Sequence, residues 1–204
     1  MGKKDYDKAI ADFDEVLRLD PNNANALNDR GETYIYKQSY QRAFEDYDEL
    51  TQVAPKNWRG FNGRGVARHL LGNDAAKSIS DYQRASQLNP SHPWPWINLC
   101  EAHITLDQTA LALEECAKAN ELAASPIGFF GLGIAHLKRR ELGPAITAFD
   151  EALKIHPTYA KALYGRGLAK KGSGGSSEGE RDIAGALSID PNVAKEIAKF
   201  GIKP

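Results

Sequence analysis

The sequence predicts an all-α solenoid, a stack of helix–turn–helix repeats that share one continuous core. Three observations carry this prediction. Prolines at Pro21, Pro55, Pro90, Pro157 and Pro191 recur at separations of 34, 35, 67 and 34 residues. The 67 is two blocks with the middle stop replaced, since Ala124 stands where proline is expected and Pro126 follows. Self-similarity near 34 residues marks a stacked array of helix pairs. Large and small side chains also repeat in phase with the prolines. Finally, these sizes recur at spacings of three and four, which places them on one helix face.

A large residue opens each first helix, at Leu27, Phe61, Trp96, Phe129 and Leu163. A small one follows a turn later, at Gly31, Gly65, Cys100, Gly133 and Gly167. Second helices carry a small residue at Ala9, Ala43, Ser78, Ala112, Ala145 and Gly179. An aromatic or its substitute follows at Phe13, Tyr47, Tyr82, Cys116, Phe149 and Ile183, and then Val16, Leu50, Ala85, Ala119, Ala152 and Ala186. Small residues let two helix backbones approach, and the aromatic fills the space beside them. Asp20-Pro21, Asn89-Pro90, His156-Pro157 and Asp190-Pro191 end second helices, because the residue before proline disfavours the helical region. Leu71-Gly72-Asn73 and Leu142-Gly143-Pro144 mark turns inside repeats. The loosest stretch, Gly172–Gly179, reads as a flexible turn. No strand precedes it and no Lys-Ser/Thr pair follows, so it is no phosphate loop.

These residues resemble the tetratricopeptide repeat (TPR) family, most closely in Phe129-Phe130-Gly131-Leu132-Gly133 leading to Ala145, Phe149, Ala152 and Pro157. The pattern covers residues 1–204 as a single solenoid. A half repeat, a second helix alone, spans 4–22. Five full repeats span 24–56, 58–91, 93–125, 126–158 and 160–192, and a capping helix spans 193–200. The resemblance implies a right-handed superhelical solenoid of antiparallel helix pairs that binds other proteins and is not an enzyme.

Composition fits that expectation. Lys and Arg number 26 against 27 Asp and Glu, without the concentrated basic face that nucleic acid requires. The dense basic run Lys138-Arg139-Arg140 lies at a helix end, where cations favour the helix dipole. No stretch approaches the roughly 20 apolar residues that span a bilayer, so neither nucleic acid nor membrane is expected as a partner. No signal peptide is present, but Met1-Gly2-Lys3-Lys4 opens directly into a half repeat, as a trimmed chain would. The compartment, cytoplasmic or periplasmic, is left open.

Two constellations invite chemistry. Arg precedes the small residue in Arg30-Gly31, Arg64-Gly65 and Arg166-Gly167, and Asp46, Asp81 and Asp182 follow 16 or 17 residues later. Where leucine replaces the arginine, at Leu99 and Leu132, the acid positions hold Glu115 and Ala148. This co-variation predicts a charge-assisted pair between the two helices of a repeat. Cys100, His103 and Cys116, with His136 in the next repeat, could hold zinc or support redox or nucleophilic chemistry. The spacing matches no finger, and Cys116 substitutes for a buried aromatic. The cysteines are therefore expected to be reduced, small hydrophobes, with no metal and no cofactor. No serine–histidine–acid arrangement or HExxH helix suggests a catalytic residue.

In the TPR family the first helices make the concave surface. The resemblance places Asn28, Asp29 and Glu32, then Asn62, Gly63 and Val66, on it. Further along come Ile97, Asn98 and Glu101, then Phe130, Gly131 and Ile134, then Tyr164, Gly165 and Leu168. Asn25, Arg59, Trp94, Ile127 and Lys161 flank them. The chaperone-tail members of the family use a basic clamp, and no frame of this chain supplies its cations. The expected function is a scaffold that binds a peptide or partner-protein segment in its apolar half. Trp94, Ile97, Phe130, Ile134 and Tyr164 would anchor it, with Asn62 and Asn98 holding its backbone. The alternative is a self-associating module whose groove or N-terminal helix is buried by its own chain or by a second copy. A homodimer through Ile10, Phe13 and Leu17 would cover the open side of the half repeat.

Overall fold

The computed structural model describes residues 3–72 and 75–202 of the chain. Met1, Gly2 and Asn73 of the sequence reading lie outside the described residues. Among those described, twelve helices and no strand are present: α1 (Lys3–Leu19), α2 (Ala24–Tyr36), α3 (Tyr40–Val53), α4 (Trp58–Leu70), α5 (Ala75–Leu88), α6 (Pro93–Thr105), α7 (Thr109–Leu122), α8 (Pro126–Lys138), α9 (Leu142–Ile155), α10 (Ala160–Gly172), α11 (Ser176–Ile189) and α12 (Val193–Ala198). None is long and apolar enough to cross a membrane.

Local chemistry sets the helix ends. Asn23 accepts the backbone N–H of Ala26 at the start of α2, and Asn57 accepts that of Arg59 at the start of α4. Ser125 accepts that of Gly128 at the start of α8, beside a proline in the first turn. Each satisfies a donor that the helix itself leaves open. Inside every full repeat the turn needs a left-handed residue, and these are Gln38, Gly72, Asp107, Arg140 and Gly174. Only two of the five are glycine, and a side chain there costs about 1 kcal/mol. Gln38→Gly is expected to raise stability by up to about 1 kcal/mol in a urea melt. A loss would show that the Gln38 side chain offsets its own strain.

The helices gather into two compact units, Met1–Pro95 and Trp96–Pro204. The core of the first joins Ile10, Leu17, Leu27, Tyr34, Ala43, Tyr47 and Leu50. The second centres on Phe149, with Ile104, Ile134, Tyr164, Val193 and Ile197 around it. The size pattern becomes concrete at the glycines. A Cβ on Gly31 would meet the Tyr47 ring at 3.0 Å, and one on Gly63 would meet it at 2.3 Å. Phe149 sits in the same way between Gly133 and Gly165, with a Cβ on either reaching 2.5 Å. Tyr47 and Phe149 thus each lie between glycines of the first helices before and after them, and Tyr82 lies against Gly65, where a Cβ would meet its ring at 2.5 Å. Gly63, Gly131 and Gly165, placed on the concave surface by resemblance, are buried by this packing, though Gly63 and Gly131 each still line a concavity.

Candidate binding faces and the ion-pair ladder

In the first unit, α2, α4 and the start of α6 enclose an open concavity of about 460 Å³. Asn28, Asp29 and Glu32 line one wall, with Arg59, Asn62 and Val66 opposite and Tyr36, Trp58 and Trp94 at the rim. Trp94 is 47% exposed and Tyr36 is 61% exposed. Tyr36 is held in place all the same, stacked on Tyr6 at 6.0 Å and donating its hydroxyl to Glu32 at 3.2 Å. Two carboxylates between exposed aromatic faces make a site that favours a cationic or polar segment with an apolar body.

The second unit differs, because its concave face is covered by its own chain. Phe200 packs on Phe130 at a ring separation of 5.9 Å, and Tyr159 approaches the same ring at 5.7 Å. The Lys138 ammonium donates to the main-chain carbonyls of Ile104 at 2.9 Å and Phe200 at 2.8 Å. Lys161 pairs with Glu196 at 2.6 Å, and this hydrogen bond holds Glu196 below the usual carboxylate range. Burial pushes the Tyr159 hydroxyl up to about 12. A cavity of about 210 Å³ remains, lined by Ile97, Glu101, Ile104, Ile127, Phe130 and Phe200 among others.

The residues expected to anchor a ligand therefore separate. Trp94 and Asn62 share the first concavity. Ile97 and Phe130 share the second and are buried. Ile134 and Tyr164 lie in the core and line neither cavity, and Asn98 is half-buried on α6. At the N-terminus, Ile10 and Leu17 are buried against the first core and Phe13 is half-buried. Tyr36, Trp58 and the C-terminal segment were not among the expected binding residues.

The arginine ladder is present. Arg30 donates to both carboxylate oxygens of Asp46 at 2.9 and 2.6 Å. Arg64 reaches Asp81 at 2.6 Å, and Arg166 reaches Asp182 at 2.7 Å with two nitrogens. Each arginine also holds an acid from the preceding second helix: Asp14 at 2.6 Å, Asp48 at 2.7 Å and Asp150 at 2.7 Å. One guanidinium thus ties three helices, which its fork of donors suits. These further acids directly follow the aromatic position, and the second helices that precede Leu99 and Leu132 have Gln83 and Ala117 there, so their signal was in the sequence. Asp81 has a second cation in Arg68, and Asp182 has one in Lys170. His103 fills that place in the Leu99 repeat, its Nδ1 lying 2.6 Å from Glu115, whose carboxyl burial pushes up.

Cys100 and Cys116 correct an expectation. They are joined in a disulfide between α6 and α7, not held as reduced thiols. The bond takes both sulfurs that a zinc site would need as thiolates. The histidine nitrogens turn elsewhere, His103 to Glu115 and His136 to Glu141. Physically, the disulfide stands where other repeats place an aromatic. Below Gly131, a Cβ would meet Cys116 Sγ at 2.5 Å and Cys100 Sγ at 3.0 Å.

Helix pairs with an aromatic held between small residues, repeated along the chain, define a TPR fold, and the comparisons with known proteins agree. The TPR repeat model matches residues 2–38, and tetratricopeptide repeat models match 24–57 and 130–169. The chain carries tetratricopeptide repeats. Among curated proteins, none matches its sequence. Among solved structures it is similar to a chain of the APC/C hetero-tetramer Cut9–Hcn1, with TM-score 0.83 and 18% identity, covering 96% of this chain and 39% of that one. It is also similar to PilW, a widely conserved type IV pilus biogenesis factor, with TM-score 0.81, 20% identity and coverage of 98% and 92%. A third is YrrB, a TPR protein with an unusual peptide-binding site, with TM-score 0.67, 17% identity and coverage of 93% and 96%. At these identities the likeness is one of fold.

Proposed function

We propose that this chain is a non-catalytic scaffold that takes an extended segment of a partner protein on the concave faces of its first helices. The open groove of the first unit supplies one such face. The observation that carries the reading is Trp94, 47% exposed in the same concavity as Asn62, Asp29 and Glu32. A large aromatic held open beside hydrogen-bonding groups and carboxylates is the composition of a peptide anchor. The apolar face of the second unit, built on Ile97 and Phe130, is the other.

A random peptide library selected on the full chain tests this. Peptides that use the first groove should carry Lys or Arg beside an apolar residue, and Trp94→Ala should weaken them by about 1–3 kcal/mol in a calorimetric titration. Selected peptides that bind wild type and Trp94→Ala with equal affinity, the fold being intact by circular dichroism, would remove the first groove from the proposal. Homodimerisation has less support, because Ile10 and Leu17 are already covered by the chain's own core.

A further inference from the structure

The C-terminal segment begins where a sixth first helix would stand, but only α12 forms. Val193 and Ile197, one turn apart, are fully buried and anchor it beside α10 and α11. The helix ends at Ala198. Backbone bonds from Phe200 to Ile197 and from Gly201 to Ala198 tighten the exit. Gly201, at φ 77°, then turns the chain in a left-handed conformation that glycine adopts without strain. As a result Phe200 lies across the face of α8 and Ile202 packs against the same core cluster.

These contacts are of the kind by which a groove holds a foreign peptide. An aromatic ring meets the Phe130 ring, a main-chain carbonyl meets Lys138, and a carboxylate meets Lys161. The Lys138 side chain is 12% exposed and also pairs with Asp107 at 3.1 Å, so the Phe200 carbonyl is one of three acceptors that satisfy its largely desolvated ammonium. Two observations separate this arrangement from ordinary capping. Val193 and Ile197, buried in α12 itself, are anchors separate from Phe200–Ile202, so the helix keeps its hold when that segment lifts. The segment also underfills its site, leaving the 210 Å³ cavity beside Phe200.

We infer that Phe200–Ile202 and Glu196 form a built-in ligand, and that the face they cover binds a partner segment of the same pattern. That pattern is an acid, then an aromatic four residues on, then a β-branched aliphatic two residues later. The partner displaces residues 200–202, takes Lys161 with its own acid as the part-exposed Glu196 side chain swings off it, seats its aromatic on Phe130, offers a carbonyl to Lys138 and extends into the cavity toward Ile97 and Ile104. This rests on the reading of the chain as a peptide-binding scaffold and names the partner chemistry of its second unit.

The test is a titration of a labelled peptide, residues 192–204, into the full chain. Wild type should bind weakly, because the resident segment competes. Phe200→Ala in the chain should bind about tenfold more tightly, as expected when the open state is otherwise a minor fraction. Glu196→Lys in the chain is a second releasing variant should Phe200→Ala fold poorly by circular dichroism. The peptide with its own Phe200→Ala should not bind. A peptide carrying Glu196→Lys should lose affinity for chain Phe200→Ala and regain it when that chain also carries Lys161→Glu. Equal affinity of wild type and a folded releasing variant, no binding to either, or a dimer by light scattering in place of peptide uptake would overturn the inference. The titration reads the second face and the library selection reads the first, so either can fail while the other stands.

Discussion

Replacing Arg30 by methionine is expected to destabilise the first unit by about 3–5 kcal/mol, the cost of leaving a buried charge without its partner. Asp46 is 4% exposed, and both hydrogen bonds described at its carboxylate come from Arg30. The same change at Arg64 or Arg166 should cost less, about 1–3 kcal/mol, because Arg68 still holds Asp81 and Lys170 still holds Asp182. Arg30→Met with Asp46→Leu should recover most of the loss, as replacing both members of a buried pair by apolar groups is often neutral. The leucine at Leu132 opposite Ala148 is nature's version of that exchange.

The pH dependence has a definite sign. Burial outweighs the arginine and already places the Asp46 carboxyl above its ordinary value. Removing Arg30 raises it further. A carboxyl with a raised folded value disfavours the native state where it is ionised and not where it is protonated. The deficit of Arg30→Met should therefore be full near neutral pH and shrink as pH falls toward the ordinary carboxylate range. Urea melts followed by tryptophan fluorescence at neutral and mildly acidic pH would show it. A deficit equal to that of Arg64→Met, or one that does not change with pH, would mean that Asp46 finds water or another donor in solution.

Much of this fold is legible in the chain because repeats amplify weak signals. One Gly31 is uninformative, but Gly31, Gly65, Gly133 and Gly167 in phase with Tyr47, Tyr82 and Phe149 define how two helices meet. The arginine ladder was legible for the same reason. The acids at Asp14, Asp48 and Asp150 were equally readable and lie one residue past the aromatic. The covering of the second concave face was not readable. Residues 193–202 hold only one short helix, and nothing in a single short helix says which surface its last residues cross. Ile134 and Tyr164 were assigned to a groove by position in the repeat, whereas their neighbours bury them.

The disulfide was open to a sharper reading, and its removal is the second large effect expected. Cys100 and Cys116 occupy the positions of Gly31 and Tyr47, which touch in the first unit, so their approach to a Cα separation of 5.3 Å follows from the repeat itself. No thiol should react in the folded or the unfolded chain until a reductant is added. Such a bond persists in an oxidising compartment, and protein made under reducing conditions should be the less stable form. Cys100→Ala with Cys116→Ala is expected to cost about 3 kcal/mol through the lost cross-link alone. A further loss comes from the space left beneath Gly131. That space has the shape other repeats fill with a ring, because Gly131 corresponds to Gly63 and Gly165. Cys100→Gly with Cys116→Phe should therefore be more stable than the double alanine variant under reducing conditions, by about 1–3 kcal/mol of restored packing. If the phenylalanine variant is no more stable than the double alanine, Gly131 serves the disulfide alone and the aromatic register does not extend through this repeat.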